Sequence, residues 1–200
     1  MPVPPPPSAP DGAAPPNGST VVAALNARHH RVALLLFAAI VVAHWAEHLA
    51  QAFQIYAFGW SRPAAGGALG LVWPWLVSSE WMHYGYAVIM LGGLVVLRHA
   101  FTGTSRTWWN AAMWIQAWHH VEHLLLLVQA STGAYLLGAS APTSVAQLII
   151  PRVELHLFYN TVVTVPMVVA MVLHRRYRPM ATAEPACGCA TRPRFAFAGG

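Results

Sequence analysis

The sequence contains no lysine, one aspartate (Asp11) and only two cysteines, and charged residues fill just 8% of its 200 positions. So little charge excludes an ordinary soluble domain, in which roughly a quarter of the residues are charged. The cysteines, Cys187 and Cys189, stand one residue apart near the C-terminus. They are too close for ordinary disulfide geometry and too few for a thiolate zinc site. Residues 1–27 lack the basic start and short apolar core of a cleaved leader, and their Pro-rich opening predicts a disordered extension. Eleven arginines against six acids give a pI near 9.8. The arginines gather at the ends of apolar runs, where membrane topology accounts for them, and no nucleic-acid partner is expected.

What the chain does have is apolar sequence, 56% of the total. It predicts an all-α integral membrane protein with one domain over residues 28–178 and a disordered tail over 179–200. Four runs, about 31–60, 80–99, 107–130 and 151–177, are each long enough to cross a hydrocarbon layer of about 30 Å at about 1.5 Å per residue. The linker 61–79 contains Pro63, Gly66, Gly67, Gly70 and Pro74, which predict an interfacial or re-entrant segment ending at a Ser79 cap. Pro151 suits a first helical position, and Pro166 predicts a kink. Arg28, Arg31, Arg98, Arg106, Arg175, Arg176 and Arg178 fall on one side of such a four-span bundle, and only Arg62 and Arg152 on the other. The positive-inside rule then places a multi-pass protein in the cell membrane with both termini cytoplasmic.

Against this background the polar residues in the spans need a reason, because an ionisable group inside a bilayer is costly and faces the protein interior. His44-Trp45-Ala46-Glu47-His48 and His119-His120-Val121-Glu122-His123 share the pattern H-x-x-E-H. Positions i, i+3 and i+4 lie on one helix face. The other two spans open with Glu80 and His83, and with Glu154 and His156. Counted from the cytoplasmic arginine of each span, His44 and His48 lie 13 and 17 residues in, as do His119 and His123, while His83 and His156 lie 15 and 19 in. All four spans therefore place their polar groups in one layer of the extracytoplasmic half. Glu47 to Glu80 and Glu122 to Glu154 are 33 and 32 residues apart, which predicts two helical hairpins related by internal duplication.

Mixed carboxylates and imidazoles suit non-haem iron, manganese or zinc better than soft-ligand copper sites. The expected ligands are His44, Glu47, His48, Glu80, His83, His119, Glu122, His123, Glu154 and His156, with His120 as a supporting or second-metal ligand. Iron, in a mononuclear or dinuclear centre, is the preferred metal, with Glu47 and Glu122 as catalytic carboxylates. Gln51, Asn160 and the nearby tyrosines would orient the ligands. Glu80-x-x-His83 resembles the E-x-x-H element of di-iron carboxylate bundles, which carry two such helices and fewer histidines. His119-His120-x-x-His123 is similar to one histidine box of membrane fatty-acid desaturases and hydroxylases, whose other boxes this chain lacks. H-x-x-E-H is also the spacing of inverted zinc metallopeptidases, with Glu as general base. Paired histidines on facing helices could hold haem b, a use that leaves the glutamates unexplained. The expected function is a membrane oxidoreductase acting on a small or lipophilic substrate with an electron donor. The alternative is a proton or divalent-metal transporter or channel using the same layer.

Overall fold

Between Val32 and Phe58, and again between Thr104 and Thr132, the sequence holds neither glycine nor proline, and both stretches fold into long helices. The computed structural model describes residues 17–176, which are helical with no strand among them. Its helices are α1 (Asn17–Asn26), α2 (His30–Tyr56), the short α3 (Gly67–Val72) and α4 (Pro74–Ser78), α5 (Glu80–Leu97), α6 (Gly103–Thr132) and α7 (Arg152–Arg176). The expected tails, with Cys187 and Cys189, lie outside the described residues apart from residues 17–27. Those belong to α1 and the turn after it and are not a disordered extension. The Asn26 amide donates to Val96 O at 2.8 Å, and Ala100 N–H donates to Asn26 Oδ1 at 3.0 Å. These bonds tie the end of α1 to the end of α5.

Local chemistry sets the helix ends. Helix α6 starts where Ser105 Oγ accepts from the Thr102 N–H at 3.3 Å, and it stops at Gly133, whose φ of 70° a side chain would resist. Helix α7 runs on through Pro166, which is buried within it.

Helix α5 packs on α6, α6 on α7, α7 on α2 and α2 on α5, so the four long helices close a ring. Three stretches are long and apolar enough to cross a membrane: His30–Tyr56, Glu80–Ala100 and Arg152–Arg176. Helix α6, 30 residues long, is not among them. Its buried residues include Ser105, Gln116, His119, Glu122, His123 and Gln129, while Trp114, Trp118, Val121, Leu124 and Val128 are exposed.

Along its axis the ring has two unlike ends. At the arginine-rich end Leu34, Phe37, Met90, Leu94, Phe101, Trp109, Met113 and Met167 form a closed apolar core. Trp109 is 0% exposed, stacks on Phe101 with centroids 4.2 Å apart and donates its indole N–H to Leu94 O at 2.8 Å. Gly93 admits α2 here, since a Cβ at that position would sit 2.3 Å from Phe37 Cε2. At the other end the ring interior is polar.

Candidate metal centre

On α6, His119 and His123 are one helical turn apart and turn their Nε2 atoms toward each other, 3.1 Å apart. Metal–imidazole bonds of about 2.0–2.1 Å place two ligand nitrogens about 3 Å apart, so this separation, also that of an N–H···N hydrogen bond, is compatible with a shared cation. His156 of α7 completes a trio in which one ligand atom from each residue lies within 4.8 Å of the others. All three are buried, with 8%, 4% and 2% of their surface exposed.

The orientation of His156 is fixed from behind. Its Nδ1 lies 2.7 Å from Arg152 O, and a carbonyl can only accept, so Nδ1 carries the proton. That leaves Nε2 as a lone-pair donor, and this atom is buried without a hydrogen-bond partner. A ring nitrogen held in this way behind and bare in front is the usual state of a metal-ligating histidine.

Three more imidazoles adjoin the trio. His48 stacks on His156 with centroids 4.7 Å apart, and His83 lies 6.1 Å from His123 and 6.2 Å from His156. His44 meets His48 through Nε2 atoms 3.1 Å apart. Gln51 Oε1 holds His48 Nδ1 at 2.8 Å, and Ser79 O holds His83 Nδ1 at 2.9 Å. Six of the seven histidines expected in the layer thus come together. The seventh, His120, turns aside and sets its ring 5.1 Å from that of Tyr84.

Each of the four glutamates has a partner outside the histidine cluster, while the second oxygen of Glu122 is buried without a hydrogen-bond partner beside His119. Glu47 accepts from Leu69 N–H at 2.8 Å and so holds the first turn of α3. Glu122 accepts from Ala146 N–H at 3.0 Å, and its other oxygen lies 3.9 Å from His119 Nδ1. Both expected catalytic carboxylates therefore fasten loops. Glu80 takes a two-pronged ion pair from Arg152 at 2.6 and 2.8 Å, linking the starts of α5 and α7. Glu154 accepts from Arg62 at 2.5 Å and from the Tyr56 hydroxyl. That bond to Glu154 raises the Arg62 guanidinium above its ordinary pKa.

Two functional-looking residues were missed in the sequence. Gln54 clasps the backbone of Gly67, accepting from its N–H at 2.8 Å and donating to its carbonyl at 3.1 Å. Gln129 does the same to Thr143, at 3.2 and 2.8 Å. The available signal was that each follows the last His of an H-x-x-E-H motif by six residues.

A cavity of about 670 Å³ reaches the cluster and is lined by His48, His83, His156, Arg62, Arg152 and Trp75, among others. No protein-family model, no curated protein and no solved structure matches the chain.

Proposed function

We propose that this chain is an integral membrane metalloprotein, an oxidoreductase whose metal is held by His119, His123 and His156. The observation that carries the reading is the convergence of three buried imidazoles with the bare Nε2 of His156 among them. Imidazoles without carboxylates suit iron, copper, zinc or nickel, and the reason to prefer manganese goes with the carboxylates. Redox work narrows the set to iron or copper. Because the trio converges on a point, it offers no slab for a porphyrin between opposed histidines. Glu47, Glu80 and Glu154 are taken by a backbone N–H group or by arginines, and Glu122, 3.9 Å from His119, is the carboxylate left beside the trio.

Four crossings are proposed, arranged as two helical hairpins, with α6 as the fourth. Its outward residues, Trp114, Trp118, Val121, Leu124 and Val128, are apolar, and its polar groups point inward, the arrangement lipid demands. The arginines of the apolar end support cytoplasmic termini and a metal in the outer half of the membrane. The cavity sets Trp75, Pro74 and Val77 beside Arg62 and Arg152. It suits a small substrate with an apolar body and a polar or anionic end, and an electron donor would supply the reducing equivalents.

A transporter would need a path on both sides of the layer. The sealed core of Leu34, Phe37, Met90, Leu94 and Met167 disfavours that alternative.

The test is elemental analysis of the purified full chain, with optical and EPR spectra before and after reduction by dithionite. Stoichiometric iron or copper with a signal that changes on reduction is the expected result. Zinc alone would overturn the redox role, and absence of metal would overturn the metalloprotein reading.

A further inference from the structure

We infer that His44, His48 and His83 form a second metal site, so that the chain holds two metal ions. The inference rests on the metalloprotein reading and extends it. The two halves of the ring correspond at six positions. His44, Glu47, His48 and Gln54 on α2 have the same spacing as His119, Glu122, His123 and Gln129 on α6, and His83 and Tyr86 on α5 the same as His156 and Tyr159 on α7.

The correspondence extends to what these side chains do. Each helical histidine pair has its Nε2 atoms 3.1 Å apart. Each motif glutamate accepts a loop N–H, from Leu69 in one half and Ala146 in the other. Each glutamine clasps one loop residue by both its N–H and its carbonyl, Gly67 or Thr143. His83 and His156 each place Nδ1 on the carbonyl four residues earlier, at 2.9 and 2.7 Å. This leaves both Nε2 atoms as lone-pair donors. Finally, His44 stacks on Tyr86 at 3.6 Å and His119 on Tyr159 at 4.1 Å. Five separate interactions repeated at matched positions make the α2/α5 histidines the counterpart of the α6/α7 trio.

A second observation is independent of the repeat. His44, His48 and His83 line one cavity of about 170 Å³, together with Glu47, Met82 and Tyr86. A water molecule occupies about 30 Å³, so this space accepts an ion with several ligands from solvent or substrate. The ligand atoms of the α6/α7 trio lie within 4.8 Å of one another, whereas the α2/α5 triad is the looser set, with His83 set 6.1 Å from His123 and 6.2 Å from His156. The first is the firmer site and the second the exchangeable one, where a substrate could displace water from the ion.

The experiment is a titration of the metal-free full chain with Co²⁺, counting bound ions by elemental analysis after gel filtration and following the visible ligand-field bands. Two equivalents in the wild type support the second site. One equivalent, unchanged by His83→Ala but abolished by His156→Ala, overturns it and leaves the metalloprotein reading standing. No binding overturns both. His44→Ala and His83→Gln are each expected to lower the endpoint from two equivalents to one, with an unchanged gel-filtration profile as the check on folding. Two equivalents retained in both variants would overturn the assignment to these residues.

Discussion

The two ends of the helix ring pack by opposite means. At the arginine-rich end, Leu94, Phe101, Trp109 and Ala112 are fully buried and interlock by shape. Within a bilayer, whose tails are as apolar as these side chains, dispersion and close fit would hold them, not flight from water. At the other end the interior is filled by six imidazoles, and the surrounding loops are fastened by side chains of the same helices. The first end is closed and the second is reached by a cavity. The difference implies that damage to the two ends should separate: at one end it falls on stability, at the other on metal.

The largest effect is expected from His156→Ala, which removes the ligand contributed by α7. It should abolish metal binding at the trio while the helical circular dichroism of the detergent-solubilised protein stays unchanged. Removing the metal with a chelator should leave that fold intact as well. Next comes Trp109→Ala at the closed end. Truncating a buried aromatic costs about 3–5 kcal/mol, expected here toward the low end because lipid is apolar on both sides of the exchange. Reversible unfolding in mixed micelles should show that loss, with metal content per folded chain unaltered.

Gly93→Ala is expected to cost about 1–3 kcal/mol, the usual penalty for overpacking, because the new methyl would collide with the Phe37 ring. Adding Phe37→Leu should recover part of it in the same unfolding assay. The smallest effect belongs to Arg62→Ala. Its ion pair with Glu154 is half exposed on the arginine side, where solvent screens it, so little stability should be lost. Metal content should not change. A metal loss caused by Trp109→Ala, or a large stability loss without metal loss caused by His156→Ala, would break the division between the two ends.

The helices and the histidine layer were legible because both follow from periodicity. Apolar runs of membrane length mark α2, α5 and α7, and the shared distance of the histidines from the terminal arginines brought six of them together. Helix α1 was not legible, since its anchoring through Asn26 to Val96 and Ala100 is a tertiary contact with no trace in the local composition. The hydrogen-bond partners of the glutamates were not legible for a related reason. Spacing places Glu47 and Glu122 on the histidine face, but it cannot say whether a carboxylate turns inward to a cation or outward to the N–H groups of Leu69 and Ala146. The charge pairs of Glu80 with Arg152 and Glu154 with Arg62 join residues 72 and 92 positions apart, beyond any local pattern. Gln54 and Gln129 were visible only in hindsight, as one more matched pair in the repeat.

X-ray absorption at the edge of the bound metal tests the imidazole-only centre most directly. The expected result is a nitrogen shell at about 2.0–2.1 Å with the multiple scattering of about three imidazole rings. A shell dominated by carboxylate oxygen, or a purified protein with no metal edge, would contradict it.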